Sequence, residues 1–357
     1  MSWSLLGQFK PRMGDRSVLP RSVVWIHNTL RLFDQNSLHF PYKLRYIEAT
    51  TPEAVADAIR DMNVRGAPAI ALAGGYSLAL AAMRSRTKSS VEFYAEMKRV
   101  GAALKRTRPT AVNLANVLDR IFTVLDLEME VEQHKKRILE EIKRIHAEEE
   151  ETYKALSQRG SKLIPEHANV LTHCNTGALA TGTSYGTALG IIQFAHREGK
   201  IDHVYVTETR PRLQGLKITA WELQQLHIPS TVIVEGAAGY LLAKEEIACI
   251  LVGADRVLTS ENPPYFVLNK VGTLPLAILA KYYNVPLVVA SPLSSFDPQK
   301  KLNQIKIELR EMWEITHFQG HQIAPDNTHA LNPAFDITPP DLISAIVTEN
   351  EIIYPNA

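Results

Sequence analysis

The sequence predicts an α/β protein whose first part is mainly helical with a short sheet and whose second part holds a parallel sheet. Two observations support this prediction. Through about residue 150 apolar side chains recur at helical spacing, and from residue 168 short apolar runs alternate with helical patterns. Repeated strand, turn and helix favour parallel strands with helices on both faces. We therefore expect an N-terminal α+β domain over residues 1–150 and a second domain over 151–357.

The first part begins with short strands and continues with helices. Two apolar runs between turn residues, 23–26 and 42–47, have the pattern of short strands. A helix begins after Thr51, a suitable N-cap before Pro52, and ends before the turn at 65–68. Further helices are expected over 69–83, 90–107, 111–125 and 130–159.

The second part contains the residues that predict the parallel sheet. Strands are expected at 170–173, 203–206, 230–234, 249–252 and 285–290, and helices at about 182–198, 215–226 and 272–283. Because such sheets bind ligands at the carboxyl ends of their strands, polar residues that follow these strands are the candidates for a site. No G-x-G-x-x-G follows the first strand and no G-x-x-x-x-G-K-[ST] occurs, so the usual nucleotide-binding motifs are absent.

Composition restricts the class of partner. The 357 residues include 39 basic and 38 acidic side chains, which give a net charge of +1. This charge is too small to create an electrostatic field that would attract nucleic acid or a membrane surface. A few local Arg and Lys side chains can still bind a small anion. Two cysteines, no apolar leader and no run of about 20 apolar residues lead us to expect a cytoplasmic protein.

The first polar cluster follows the strand at 170–173. There Cys174 precedes a helix start rich in Gly, Thr and Ser. Backbone N–H groups at such a start suit a phosphate and lower the pKa of a nearby thiol. Cys174 is thus a candidate general acid or base, and the alternative is that it is a small buried apolar residue. Cys249 lies inside a strand and is interpreted as structural.

The second cluster follows the strand at 203–206. Arg210, Arg212, Glu208 and Gln214 could bind hydroxyls or phosphate, or they could form a solvated loop that caps the next helix. The residues alone leave both alternatives open.

The third and fourth clusters contain Asp255 and the pair Asn269 and Lys270. Asp255 ends an apolar strand, where poor solvation would raise its pKa toward that of a useful base, unless it caps a turn and pairs with Arg256. Lys270 could neutralise a phosphate and Asn269 could bind a hydroxyl. The alternative is that neither binds a ligand: Asn269 would only start the next helix, and Lys270 would be exposed to solvent.

The first part adds two basic turns, 65–68 and 106–110, neither of which indicates a function by itself. Of the twelve His residues, His317 and His321 have H-x-x-x-H spacing, but no Cys lies near them in the sequence, so no zinc site is expected.

Taken in order, seven motifs resemble the methylthioribose-1-phosphate isomerase family. The resemblance runs from about residue 22 to about residue 353. The motifs are RGAPAI (65–70), RPTAVN (108–113), HCNTGALAT (173–181), TETRPRLQG (207–215), GADR (253–256), NKVGT (269–273) and NPAFDITP (332–339).

This resemblance implies a Rossmann-like second domain, a homodimer and an active site without metal or other cofactor. It implies that Cys174 and Asp255 are the catalytic pair. The residues that it implies for binding the sugar phosphate are Arg65, Gly66, Ala67, Arg108, Gln214, Asn269 and Lys270.

Three segments depart from the family pattern. The stretch 258–268 is longer than usual, 234–238 differs in sequence, and the loop after Cys174 is extended near 182–185. We expect 258–268 to border the site, which leaves the substituent at C5 of the sugar open.

The expected reaction converts 5-methylthioribose 1-phosphate into the corresponding 1-phosphoketose. Related substrates, 5-deoxyribose 1-phosphate or ribose 1,5-bisphosphate, stay open as alternatives. A non-catalytic subunit related to the translation-initiation exchange factor is an alternative of another class. The isomerase hypothesis requires that Cys174 and Asp255, distant in sequence, face one polar cavity.

Overall fold

The computed structural model describes residues 19–38, 44–108 and 112–356. The start of the strand predicted at 42–47 and the turn at 109–111 lie outside the described residues. Among those residues, no helix combines the length and apolar character that crossing a membrane requires.

The first part is a three-stranded antiparallel sheet packed on five helices. The strands are β1 (Val23–Ile26), β2 (Thr29–Phe33) and β3 (Tyr46–Ala49), and the helices are α1 (Pro52–Arg60), α2 (Ala67–Arg84), α3 (Ser90–Thr107), α4 (Val112–Thr123) and α5 (Val131–Gly160). Helix α2 is buried along almost its whole length because the other helices surround it. Its small residues permit close packing: Gly74 faces Leu114, and Gly75 faces Ile142.

The second part contains a seven-stranded sheet, which confirms the predicted parallel arrangement. Its strands are β4 (Ala168–Thr172), β5 (Ile201–Thr207), β6 (Ser230–Ile233), β7 (Cys249–Gly253), β10 (Leu287–Ala290), β15 (Ala345–Val347) and β16 (Ile352–Ile353). The spatial order is β6-β5-β4-β7-β10-β15-β16, and only β16 runs antiparallel. Numbered by their order in the chain, the six parallel strands lie as 3-2-1-4-5-6, so the strand order reverses between β4 and β7.

Helices cover both faces of this sheet. They are α6 (Ala178–Thr181), α7 (Ala188–Arg197), α8 (Ala220–Gln225), α9 (Ala238–Lys244) and α10 (Thr273–Tyr282). Strand residues alternate between two cores: Val170 and Leu251 pack with α7 on one face, and Leu171 and Ile250 pack with α9 and α10 on the other.

Two of the predicted helices differ from those observed. The helix expected over 182–198 begins only at Ala188, because Gly182 has φ +81° and ends α6. The helix expected over 215–226 is helical throughout, but it begins as a π-helix over Gly215–Thr219 before α8.

A second, four-stranded sheet was not predicted. It contains β11 (Phe296–Asp297), β8 (Arg256–Leu258), β9 (Phe266–Lys270) and β14 (Phe335–Thr338), and the nearby short elements are α11 (Trp313–Thr316), β12 (His317–Phe318) and β13 (His321–Gln322). Strand β8 follows directly on the end of β7, so this sheet starts at the carboxyl edge of the large one. The pair Asn269 and Lys270 therefore ends a strand, β9, and is fixed by pairing with β14.

Candidate active site at the strand switch point

A cavity of about 320 Å³ lies where β4 and β7 end. This volume is in the range of small-ligand pockets. All nine predicted site residues line it: Arg65, Gly66, Ala67, Arg108, Cys174, Gln214, Asp255, Asn269 and Lys270. The cavity thus lies at the switch point of the parallel sheet, where this kind of sheet binds its ligands.

The backbone of Cys174 adopts a conformation that is rare for a residue with a side chain. Its φ is +72°, in the left-handed region. Hydrogen bonds hold it there: the Cys174 amide donates to Thr209 Oγ1 at 3.0 Å, and the Thr219 hydroxyl donates to the Cys174 carbonyl at 2.6 Å. Thr219 belongs to the π-helix, so this irregular turn contributes directly to the geometry of the site. Such strain persists only where surrounding contacts enforce it.

The thiol of Cys174 is a neutral group rather than a thiolate. Burial raises its pKa, against the opposing effects of Lys270 and of Gln214, whose Nε2 donates to Sγ at 3.4 Å. The predicted lowering of this pKa by a helix start is wrong, because α6 is a single turn and burial dominates. The thiol therefore has a proton to donate at neutral pH.

Asp255 lies two residues beyond β7 on the same cavity. Burial raises the pKa of its carboxyl, and the nearby charges of Lys270, Arg108 and Arg256 oppose that effect. The direction predicted for this group is confirmed. Its neighbour Arg256 forms an ion pair with Asp297 at 3.2 Å.

Lys270 is a partly buried cation whose charge interacts with both the thiol and the carboxyl. Its Nζ donates to the Ala334 carbonyl at 2.6 Å and lies 5.0 Å from the centre of the Phe335 ring. Burial lowers its pKa, and the charges of Cys174 and Asp255 oppose that lowering. The alternative of an exposed Lys is therefore wrong.

The N-terminus of α2 forms another wall through Arg65, Gly66 and Ala67. Gly66 has φ +94°, and a Cβ there would lie 2.0 Å from the Ala180 carbonyl oxygen, so only glycine fits. Arg65 donates from Nε to the Met62 carbonyl at 2.9 Å. Burial beside other cations lowers its pKa to about 9, which leaves it charged at neutral pH.

Arg108 reaches the cavity from the end of α3. Its Nη1 donates to Met62 Sδ at 2.8 Å, and its Nη2 lies 3.7 Å from Glu308. The two remaining binding candidates have polar partners as well: Gln214 bonds Cys174 as above, and Asn269 Nδ2 donates to Thr273 at 3.0 Å.

Sequence reasoning missed a group of charged residues that includes Arg310, Glu308 and Glu314. Arg310 and Glu308 line the cavity together with Arg212, and Glu314 lies behind the two arginines. Arg212 was one of two arginine candidates on its loop, whereas residues 308–314 lie in a largely irregular segment that has no periodic pattern to mark it.

The departures from the family pattern lie mostly away from the cavity. Among the described residues, the lining includes Leu268 from the segment 258–268 and no residue from 234–238 or 182–185. The segment 258–268 thus borders the cavity through Leu268, at its end on β9.

Several buried polar atoms on the cavity wall have no hydrogen-bond partner among the described residues. They include Gln214 Oε1, Asn175 Oδ1 and Thr176 Oγ1. Leaving a buried polar atom unpaired costs about 1–3 kcal/mol, so these atoms favour a ligand with several hydroxyl groups. In the described part of the chain, no group of three His, Cys, Asp or Glu side chains could hold a metal ion.

The fold and the cavity define an α/β protein with a cationic, buried ligand pocket at the switch point of its sheet. A family model described as the Initiation factor 2 subunit family matches residues 63–355. A curated relative, methylthioribose-1-phosphate isomerase from Desulforamulus reducens, is 43% identical over 94% of this chain and 95% of its own length. The chain belongs to the Initiation factor 2 subunit family and, within it, to the methylthioribose-1-phosphate isomerases, which confirms the resemblance noted from the motifs.

Two solved structures are similar over the same range. 5-methylthioribose 1-phosphate isomerase from Pyrococcus horikoshii has a TM-score of 0.86 at 36% identity and covers 94% of this chain and 93% of its own. A structure from A. fulgidus described as translation initiation factor eIF-2B, subunit delta, has a TM-score of 0.82 at 38% identity, with 94% and 96% covered.

Proposed function

We propose that this protein is an aldose–ketose isomerase that converts 5-methylthioribose 1-phosphate into 5-methylthioribulose 1-phosphate in methionine salvage. The observation that carries the proposal is that Cys174 and Asp255, 81 positions apart in the sequence, line one buried cavity with Lys270 near both. The names of the full-length relatives support the same reaction.

The proposed chemistry assigns proton transfer to the thiol and the carboxyl. A phosphate on C1 prevents the sugar ring from opening as a free hemiacetal would, so a proton donor must assist cleavage of the ring C–O bond. Hydrogen then moves from C2 to C1, and no external oxidant or reductant is needed. The protonated state of Cys174 supports its role as donor, and Asp255 is the partner that exchanges a proton with the substrate.

The contacts proposed for the phosphate and the hydroxyls of the sugar involve cavity-lining cations and polar atoms. Arg65 and Lys270 are lining cations for which the described part of the chain supplies no carboxylate ion pair, so they suit an anion. Gly66 and Ala67 add the N-terminus of α2, an 18-residue helix. Arg108, Gln214 and Asn269 complete the proposed set, and Gln214 Oε1 is positioned to accept from a hydroxyl.

Turnover by purified protein tests the function and the catalytic pair. The wild type is expected to convert 5-methylthioribose 1-phosphate to the ketose, detected by NMR. Cys174→Ser and Asp255→Asn should each lose turnover by several orders of magnitude while their far-UV CD spectra stay unchanged, because each keeps its shape but loses the acid or base. Near-normal turnover in either variant would remove that residue from the chemistry.

A second candidate function is supported by the A. fulgidus structure, which carries the name of an exchange-factor subunit. A wild type without activity on 5-methylthioribose 1-phosphate, 5-deoxyribose 1-phosphate and ribose 1,5-bisphosphate would favour that candidate. Comparing kcat/KM on the three sugar phosphates also decides which C5 substituent the pocket prefers.

The proposed organisation comprises an N-terminal α+β domain over residues 1–150, a Rossmann-like domain over 151–357 and a homodimer. The strand order 3-2-1-4-5-6 supports the description of the second domain. Exposed apolar side chains on one segment, Leu309, Met312, Trp313 and Leu331, support the homodimer. A cytoplasmic location is consistent with two cysteines that are both free, and cell fractionation tests it.

A further inference from the structure

An unbroken series of ion pairs runs along one wall of the proposed active site. Arg108 pairs with Glu308 at 3.7 Å, and Glu308 pairs with Arg310 at 3.0 Å. Arg310 pairs with Glu314 at 2.5 Å, and Glu314 pairs with Arg212 at 2.6 Å. We call these five residues the arginine series. All of its members except Glu314 line the cavity.

Glu314 pairs with two arginines of this series, Arg212 and Arg310. Its side chain is only 3% exposed, and it accepts from Arg212 Nη1, from Arg310 Nε and Nη2, and from Asn332 Nδ2 at 3.1 Å. Burial would raise the pKa of Glu314, but the hydrogen bonds from Arg310 and Arg212 outweigh it and hold the pKa at about 2. This carboxylate is therefore charged at every working pH and fixes both guanidinium groups against the wall.

The charges near Arg65 match those of a phosphate monoester. Arg212, Arg310 and Glu314 all lie close enough to Arg65 to affect its pKa. The arginine series and Arg65 together comprise four guanidinium groups and two carboxylates, which leaves two net positive charges. A phosphate monoester carries about −1.5 to −2 at neutral pH, a charge opposite in sign to that of this group.

Resting on the proposed function, we propose that Arg212 and Arg310 extend the phosphate subsite of Arg65, Lys270 and the N-terminus of α2, and that Glu314 is the positioning residue that orients these two arginines. Planar guanidinium groups held by a buried carboxylate are oriented in advance for bidentate contacts to phosphate oxygens. Cys174 and Asp255 line the same cavity as these arginines.

The chain offers a matched control on the same loop. Arg210 is two positions from Arg212, but it donates to the carbonyls of Pro211 and Ile315, both at 3.2 Å, and does not line the cavity. Both arginines belong to the TETRPRLQG motif, and only the structure separates them. Removing Arg210 should therefore leave phosphate binding unchanged.

The experiment measures inorganic phosphate binding by calorimetry, and KM and kcat on 5-methylthioribose 1-phosphate, for the wild type and matched variants. Arg212→Met and Arg310→Met should each weaken phosphate binding and raise KM by about 10- to 100-fold, with kcat changed far less, because each removes a charge-assisted contact. Arg210→Met should behave as the wild type. Thermal unfolding of each variant verifies that it is folded, and Arg212→Lys should restore part of the affinity.

Glu314→Gln distinguishes positioning from charge alone. This nearly isosteric change adds one net positive charge, so a purely Coulombic site would bind phosphate more tightly. A positioning role instead predicts weaker phosphate binding and a higher KM, since the guanidinium groups lose their anchor.

Tighter or unchanged binding in Glu314→Gln would overturn the positioning role, and wild-type phosphate affinity in both methionine variants would overturn the subsite. If the wild type turns over none of the sugar phosphates yet loses phosphate binding in Arg212→Met and Arg310→Met, the isomerase proposal fails and the subsite stands. The two proposals thus fail by different observations.

Discussion

At the scale of single residues, backbone conformation sets the shape of the site. Cys174 and Gly66 both have positive φ values, +72° and +94°. Hydrogen bonds to Thr209 and Thr219 hold the first, and the absence of a side chain permits the second. These two positions direct the thiol and the N-terminus of α2 into the same cavity.

Gly66→Ala tests this constraint. A Cβ at this position would lie 2.0 Å from the Ala180 carbonyl oxygen and would force an unfavourable φ. We expect the free energy of unfolding in urea to fall by roughly 2 kcal/mol or more, with loss of turnover. The control is Gly236→Ala, at an exposed position with no atom within 4 Å of the added Cβ. Equal stability of the two variants would contradict the argument.

At the scale of elements, a buried carboxyl ties α8 to the loop that carries Cys174. Glu222 on α8 is fully buried and accepts from the Leu179 amide at 2.8 Å, at the start of α6. A Cβ on Gly177 would lie 1.8 Å from its Oε2, so the loop packs directly on this carboxyl. Burial raises the pKa of Glu222 to about 8, against the hydrogen bonds from the amides of Leu179 and Ala178.

This raised pKa predicts a pH-dependent stability difference. In the folded state Glu222 keeps its proton up to about pH 8, whereas in the unfolded chain it loses it above about pH 4.3. Unfolding therefore releases a proton between these values, and the contribution of Glu222 to stability falls as the pH rises through this window. Glu222→Gln should have a stability close to that of the wild type at pH 4 and an increasingly higher relative Tm toward pH 8. A Tm difference that does not change with pH would contradict the raised pKa.

At the scale of the whole molecule, the cavity takes its walls from distant parts of the chain. Arg65 and Arg108 come from the helical first part, Cys174 and Asp255 from the loops that follow two strands of the large sheet, and Lys270 from the small sheet. The segment 308–331 contributes three members of the arginine series, Glu308, Arg310 and Glu314. It also exposes Trp313 (57%) and Leu331 (75%). The proposed homodimer would cover these apolar side chains and support the segment that carries Glu314.

Trp313→Asp tests the dimer. Placing a carboxylate in an apolar interface between two copies should shift the wild-type dimer to a monomer in sedimentation velocity, because the charge would be desolvated. Val91→Asp replaces an apolar residue of similar exposure, 64%, on α3 and should leave the sedimentation coefficient unchanged. A wild type that sediments as a monomer would contradict the proposed homodimer.

The sequence by itself determined the parallel sheet, the helices of the first part and nine of the residues that line the cavity. These features depend on local patterns: alternation of apolar runs with helical spacing, and polar residues directly after strands that a parallel sheet collects at one edge. The ordered motifs added the family and its reaction. The division into two domains and the homodimer stay predictions.

Only the tertiary structure decided how the site is built. The short strands β8, β9 and β14 form by long-range pairing that no local period marks, so Asn269 and Lys270 were expected beside a helix. The pKa of the Cys174 thiol is set by burial, which depends on everything packed around it. Glu314 has a role because folding brings it against Arg212, about a hundred residues earlier in the chain, and such contacts between distant residues leave no pattern in a single sequence.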